Sequence, residues 1–381
     1  MSGLQTYFGE TQNIVRASVK KFVEQEIKPH INEWEEANSF PRELYEKAGA
    51  AGILSIGHPE EFGGTGSDIF TKIAASEELM KSTSGGLVAS LGSIDIGLPP
   101  VYKWGSDELK ARIVPEVIAG KKIAALAITE PSGGSDVANL KTTALKDGDE
   151  YIVNGSKTFI TSGQRADYYT VAVRTGKPGF GGISLLLIER DRAGFSRGSN
   201  LKKTGWWASD TAELFFDNVR VPASNLIGAE NAGFFAIMSN FEAERLSLCI
   251  MANTTSEMAL EYAIAYVKER EAFGRPIGKF QVIKHKLAEM ATQLEASKAL
   301  TYRLAARMEA KQSVVKEISM AKNFATSTSD KITYDAVQLF GGMGFMRECP
   351  VERLYRDNRI LSIGGGTYEI MNEVISKQMG L

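Results

Sequence analysis

The chain has 381 residues, 43% hydrophobic and 24% charged, with a net charge of −2 from 44 basic and 46 acidic side chains. That length allows about two or three domains at roughly 150 residues each, with ample apolar material for a core. The near balance of charge, with no long basic block, argues against nucleic-acid binding as the main activity. Two isolated cysteines, Cys249 and Cys349, make neither a disulfide framework nor a metal site, and a cytoplasmic location is expected from them. Residues 1–10 lack a charged segment followed by an apolar one, so no signal peptide is expected there. The longest apolar run, near 183–188, is far too short for a membrane span.

Up to about residue 120 the periodicity predicts helices. Ile14, Val15, Val19, Phe22, Val23 and Ile27 recur at spacings of three and four, as one buried helical face requires. Pro41 opens a helix over 41–51, because proline is tolerated in a first turn. Residues 60–67 (EEFGGTGS) read as a glycine-rich loop, and helical spacing resumes over 73–80. Residues 84–98 (SGGLVASLGSIDIGL) read as helical, with Leu87 and Leu91 one turn apart and facing the same way.

From about 123 to 228 the period changes. Residues 123–128, 151–153, 168–173, 183–188 and 213–219 are short, rich in β-branched or aromatic residues, and separated by Gly, Asp and Asn turns. Such punctuation predicts an antiparallel barrel or sandwich rather than βαβ units. From 232 onward, 234–251, 258–270, 282–308 and 315–340 are long, amphipathic and almost free of proline, which predicts a helical bundle. The expected fold is α+β and multi-domain: an N-terminal helical domain (1–121), a middle antiparallel β-barrel or sandwich domain (122–230) and a C-terminal helical bundle (231–381).

Several chemistries are missing. No GxGxxG follows a predicted strand, and no GxxxxGK[ST] or GxSxG occurs. The three histidines, His30, His58 and His285, do not stand at zinc spacing and read as surface or packing residues. If the chain is an enzyme, its chemistry is expected to rest on a carboxylate and a cofactor.

Five segments carry more. Residues 127–137 (AITEPSGGSDV) end a strand in Thr129 and turn through small residues to Ser135, a backbone able to cradle a phosphate or a flavin edge. Residues 155–163 (GSKTFITSG) place an aromatic between threonines on a short strand, and 266–281 (YVKEREAFGRPIGKFQ) put Arg270 and Phe273 at a helix end. Residues 335–345 (DAVQLFGGMGF) lead into 353–370 (RLYRDNRILSIGGGTYEI). In order and identity these segments resemble the acyl-CoA dehydrogenase family over nearly the whole chain, and the family's helical–β–helical fold matches the one read from periodicity.

The resemblance implies FAD as cofactor and acyl-CoA as substrate. It implies that Thr129 and Ser135 contact the flavin and pyrophosphate, with Ser135 also at the substrate. Phe159 and Thr161 would cover the isoalloxazine and reach its N5 side. Arg270, Phe273 and Gln338, with Gly341 and Gly342 allowing close approach, would bind the FAD of a neighbouring subunit. Thr367 and Glu369 would meet the phosphate and ribose region, though many relatives carry glutamine at 369. A homo-oligomer, tetramer or dimer, is therefore expected, with electron-transfer flavoprotein as electron acceptor.

The implied reaction removes an α proton from the thioester and passes the β hydrogen as hydride to flavin N5. Most relatives supply the base as the Glu of an EGT tripeptide, which here reads Gly365, Gly366, Thr367. A branch resembling the long-chain and isovaleryl-CoA dehydrogenases carries it on a helix, as the Glu of an ER pair, and Glu244 followed by Arg245 occupies that place. Gly365 keeps a backbone N–H, which the resembled family uses to polarise the thioester carbonyl. Glu242 competes for the role but points to a different face of the helix. The plain alternative is that Glu244 pairs with a base on the solvent side.

Phe241 and Arg245 join the expected substrate-binding residues. Leu87 and Leu91 stand where the family's acyl tail is usually buried. Gly85, Gly86, Gly92 and Gly97 remove volume there, which suggests a deep pocket for a medium, long or methyl-branched chain; simple close helix packing is the competing account. Rival activities are a flavin monooxygenase or oxidase on the same fold, against which Glu244 speaks, and a catalytically silent flavin-binding homologue.

Overall fold

The computed structural model describes residues 6–381. The apolar stripe of 14–27 becomes α1 (Glu10–Phe22), which widens into a π-helical turn, Val23–Ile27, and buries Val19, Phe22, Val23 and Ile27. Further N-terminal helices are α2 (Ile31–Ala37), α3 (Glu43–Ala50), α4 (Ile69–Met80), α5 (Gly85–Leu91), α6 (Ile94–Gly97), α7 (Pro99–Trp104) and α8 (Asp107–Ile118). Pro41 stands just before α3, where its carbonyl accepts the Leu44 N–H at 3.2 Å. Side-chain oxygens of Asp68, Ser84 and Ser106 cap α4, α5 and α8 by accepting backbone N–H groups that the helix leaves unpaired.

The middle of the chain forms one eight-stranded sheet. Its strands are β1 (Ala124–Ala127), β2 (Thr143–Asp147), β3 (Glu150–Thr161), β4 (Tyr168–Arg174), β5 (Ile183–Glu189), β6 (Phe195–Arg197), β7 (Thr211–Pro222) and β8 (Leu226–Ile227). The order is β6-β7-β3-β2-β4-β5-β8, with β1 beside β4. The pairings are antiparallel as expected, except that β1 runs parallel to β4 and β2 meets β4 through one parallel pair. The segments 151–153 and 155–161 are one strand, β3, because Gly155 carries it through a register shift against β7.

The C-terminal region is helical again. α9 (Gly233–Glu269) runs unbroken for 37 residues, through 252–257 where the polar run Asn253, Thr254, Thr255, Ser256 suggested a break. Three of these buried side chains are satisfied inside the bundle. Thr254 and Ser256 donate to carbonyls one turn back, and Asn253 bonds Thr301 and Ser297 on the next long helix. After a small hairpin, β9 (Glu271–Ala272) with β10 (Arg275–Pro276), follow α10 (Gln281–Glu309), α11 (Val315–Phe340), α12 (Pro350–Asn358) and α13 (Tyr368–Gln378). No helix among the described residues is long and apolar enough to cross a membrane.

Two apolar cores result. One joins the N-terminal helices, the sheet and the start of α9; the other fills the C-terminal bundle. The three regions meet at Asp357 on α12. Its buried carboxylate accepts the Gly85 N–H at 3.0 Å and the Trp206 N–H at 2.6 Å. Beside it Arg356 pairs with Glu35 at 2.9 Å and lies 3.5 Å above the Trp207 ring.

Replacing Asp357 by Ala strands two buried N–H donors, each at a cost of roughly 1–3 kcal/mol. Asp357→Ala should therefore melt well below the parent, with Asp357→Asn in between because it keeps one acceptor. Equal melting temperatures for all three proteins would show that the junction does not bear on stability.

Candidate active site

α9 brings Glu244 against the glycine turn that precedes α13. A Cβ built on Gly365 would lie 3.4 Å from Glu244 Oε1 and 2.7 Å from Leu248 Cδ1. Gly365 and Gly366 have φ of +63° and +100°, a left-handed region that glycine enters without strain. Glu244 Oε2 is buried with no hydrogen-bond partner, and no ion pair forms at its carboxylate among the described residues. Pairing with a solvent-side base, the plain alternative for this residue, is thus not what the fold contains.

Burial raises the Glu244 carboxyl above the ordinary carboxylate range, and the nearby charges of Lys322 and Arg245 oppose that rise. Arg245 is itself buried. Its Nε points to the Gly365 carbonyl at 3.5 Å and its guanidinium lies 5.9 Å from the Phe241 ring. Burial lowers its pKa while Glu244 and Glu242 raise it, so Glu242 acts on Arg245. Lys322, fully buried on α11, donates to the Gly366 carbonyl. Burial brings its ammonium down to about 8, offset in part by the charge of Glu244. Sequence reasoning missed Lys322, yet a signal was present: it stands on the stripe of Ile318, Ala321 and Ala325, where a lysine is out of place.

A second group forms around β3. The Glu130 carboxylate accepts from Lys141 N–H (2.6 Å), Thr142 N–H (2.9 Å) and the buried Lys157 ammonium (2.8 Å), which also bonds the Ile128 carbonyl at 3.0 Å. Burial works against ionised Glu130, but Lys157 and these bonds outweigh it and hold the carboxyl below its ordinary value. Burial brings Lys157 down to about 8. The Thr158 N–H reaches the Thr129 carbonyl at 2.9 Å. The loop carrying Thr129 and Ser135 is thereby tied to the strand carrying Phe159 and Thr161. Phe159 sits at a register shift with φ +59° and is 69% exposed; Ser135 is exposed and Thr129 and Thr161 are half-buried. Glu130 and Lys157 also escaped sequence reasoning.

A third group lies at another edge. Tyr266 near the end of α9 stacks on Phe340 at the end of α11, with 4.1 Å between ring centroids. That contact brings the segment of Arg270 and Phe273 beside that of Gln338, Gly341 and Gly342. Phe273 has φ +54° and is 94% exposed, and a Cβ on either glycine would meet no atom within 4 Å. Thr367 caps α13 by accepting the Ile370 N–H at 3.3 Å, and Glu369 is exposed in its first turn.

Of the two accounts of the glycines in 84–98, close helix packing is the one the structure contains. Leu87 and Leu91 are fully buried within the core. The glycines beside them do not hollow out a pocket, because chain fills the space. A Cβ on Gly85 would stand 2.6 Å from Trp206 Nε1, and one on Gly86 2.7 Å from Trp206 Cα. A Cβ on Gly97 would lie 3.0 Å from the Ala125 carbonyl carbon, and one on Gly92 3.0 Å from the Val88 oxygen. These glycines serve close packing. Phe241, half-buried on α9, is the expected substrate residue that does lie on the Glu244 side, under Arg245.

Comparison with known proteins places this geometry. Family models described as the N-terminal, middle and C-terminal domains of acyl-CoA dehydrogenase match residues 9–121, 125–219 and 231–380. The long-chain specific acyl-CoA dehydrogenase of Sus scrofa mitochondria is 42% identical over 99% of this chain and 88% of its own length. The crystal structure of an acyl-CoA dehydrogenase from Geobacillus kaustophilus superposes with a TM-score of 0.96 at 42% identity, covering 98% of this chain and 99% of that one. A glutaryl-CoA dehydrogenase from Mycobacterium smegmatis, solved in complex with FADH2, does so with 0.93 at 29% identity over 98% and 96%.

The buried Lys157–Glu130 pair generates a stability prediction. Lys157→Met leaves an unpaired buried carboxylate, and breaking such a pair costs roughly 3–5 kcal/mol. A lower melting temperature that partly recovers in Lys157→Met with Glu130→Gln is expected. Recovery should be visible by calorimetry, and a single variant as stable as the parent would refute the bracing role.

Proposed function

Since the chain belongs to the acyl-CoA dehydrogenase family, oxidoreductases acting on a CH–CH bond, we propose that it converts an acyl-CoA thioester to the trans-2-enoyl-CoA with Glu244 as the α-proton base. The observation that carries this reading is the contact between Glu244 and Gly365. A carboxylate from α9 stands where a side chain from the turn would otherwise enter, buried, without a hydrogen-bond partner and with a raised pKa. A carboxylate made more basic by burial is better matched to a weakly acidic C–H. The Gly365 N–H then polarises the thioester carbonyl as enolate charge develops.

The residues fit FAD. Phe159 offers an exposed ring on a strained, braced strand, and the hydroxyls of Thr129, Ser135 and Thr161 come from segments tied to one another. Gly342 has neither a positive φ nor an internal neighbour that explains it, consistent with approach by a group outside this chain. FAD held there supplies the two-electron acceptor for the hydride leaving the β carbon. Thr129, Ser135, Phe159 and Thr161 would hold the flavin, and Thr367 with Glu369 the phosphate and ribose region. Arg270, Phe273, Gln338, Gly341 and Gly342 would complete the site of a neighbouring subunit, so the working form is a homo-oligomer. Electrons then pass to an electron-transfer flavoprotein. The substrate proposed is a medium, long or methyl-branched acyl-CoA, supported by the name of the long-chain relative rather than by glycines in α5 and α6.

Glu244→Gln should keep FAD bound and slow anaerobic flavin bleaching by acyl-CoA by roughly 10²–10⁴-fold, the usual range for losing a general base. Near-parental bleaching would refute the assignment. Adding Gly365→Glu should restore part of the rate, and more once Leu248→Ala removes the 2.7 Å contact. In an acyl-CoA chain-length series, a sharp optimum at short chains would overturn the substrate proposal.

A further inference from the structure

The geometry points to Lys322 as a positioning residue for proton abstraction: its buried ammonium holds the Gly366 carbonyl, and with it the glycine turn that faces Glu244. This rests on the reading of Glu244 as the base. Lys322 has no accessible surface, and its Nζ donates to the Gly366 carbonyl. Its neighbour on α11, Asn323, donates to the Tyr368 carbonyl at 3.1 Å and to Asn372 Oδ1 at 3.0 Å. One turn of α11 therefore fixes both the glycine turn and the start of α13. Because Gly365 and Gly366 carry no side chains and sit in left-handed conformations, carbonyl contacts are what orient this backbone. The Gly365 N–H aimed at the thioester depends on them.

The second task is electrostatic. The charged groups facing Glu244 are Lys322 from α11 and Arg245 from α9. Behind them, Glu242 acts on Arg245 and the Cys249 thiol on Lys322. Burial pushes the Cys249 thiol up to about 12, so it contributes no negative charge near neutrality. Burial alone favours the protonated, inactive form of Glu244, and Lys322 opposes this. The Glu244 carboxylate in turn holds the Lys322 ammonium up against its burial. The sign follows: without Lys322 the Glu244 carboxyl titrates at higher pH, and activity on the acid side falls first. At alkaline pH Glu244 is ionised with or without Lys322, and the difference closes.

The test uses FAD-loaded parent, Lys322→Met, Lys322→Gln, Lys322→Arg and Glu244→Gln. Lys322→Gln keeps a donor while losing charge, and provides a second neutral variant if the methionine protein folds poorly. Flavin bleaching by acyl-CoA is followed against pH. The carboxylic-acid C=O stretch of Glu244, identified by its loss in Glu244→Gln, is titrated by difference infrared in loaded and FAD-free protein. The neutral variants should lose at least about tenfold in bleaching rate at pH 7, equivalent to one unit of titration, and Lys322→Gln, which keeps a donor, should recover most of it at alkaline pH. Their Glu244 stretch should titrate at higher pH than in the parent, while Lys322→Arg stays near parental. An unchanged Glu244 titration in both neutral variants, or a loss in Lys322→Gln equal at every pH, overturns the role of Lys322 and leaves the base intact. Near-parental bleaching by Glu244→Gln overturns both.

Discussion

A single buried carboxylate holds the three parts of the molecule together. Asp357 on α12 accepts backbone N–H groups from Gly85, at the start of α5, and from Trp206, in the connection between β6 and β7. The contact requires two backbones to meet within hydrogen-bond reach, and the chain pays for that with glycine. A Cβ at Gly85 or Gly86 would collide with Trp206, and one at Gly205 would stand 2.4 Å from the Arg356 carbonyl oxygen. Burial and the charge of Glu35 push the Asp357 carboxyl up to about 7, against the pull of Arg356 and the two N–H bonds. Arg356, flat on Trp207 and paired with Glu35, supplies the compensating cation from the same helix.

The active turn hangs from this junction. Next to Asp357, Asn358 bonds Ser329 and Asp330 of α11, each at 2.6 Å, so the end of α12 is pinned to the helix that carries Lys322. A short 3₁₀ segment, Arg359–Ser362, then delivers the chain to Gly365. The opposite wall is α9, whose first turns pack with the sheet and whose later turns pack in the C-terminal bundle. Glu244 lies where α9 passes from one core to the other. Its place against Gly365 is therefore set by two anchored helices and one anchored turn.

Much of this was legible in the sequence because it depends on period and local chemistry. The helix expected over 315–340 has those bounds, and the strand segments 168–173 and 183–188 fall within β4 and β5. Glu244 and Gly365, read together, do meet. What escaped depends on partners distant in sequence. Asn253, Thr254 and Ser256 look like a break until α10 is there to bond Asn253. β2 is too short and too exposed to announce itself without β3 beside it. The glycines of 84–98 look like removed volume, and only the approach of Trp206 and Ala125 shows that the volume is taken. Lys157 looks like a solvated lysine until a carboxylate encloses it, and the apolar stripe marks Lys322 as buried without showing the carbonyl it meets.

The proposed place of the base on α9 also accounts for the residues around it. The oxyanion contact needs a backbone N–H, which any residue at 365 supplies, whereas the base needs a carboxylate with access to one carbon. The two functions can therefore separate, the N–H staying in the turn and the carboxylate moving to the helix. Separation has structural consequences on both walls. The turn keeps a φ of +63°, which a side chain tolerates poorly, and Leu248 fills the room that a side chain at 365 would need. The helix must bury a carboxylate with no hydrogen-bond partner, which is costly unless positive charge lies near. Arg245 and Lys322 supply that charge while their donors hold the carbonyls of Gly365 and Gly366. A direct ion pair would quench the base, and distant cations would leave it protonated. Cations bound to the neighbouring backbone avoid both outcomes.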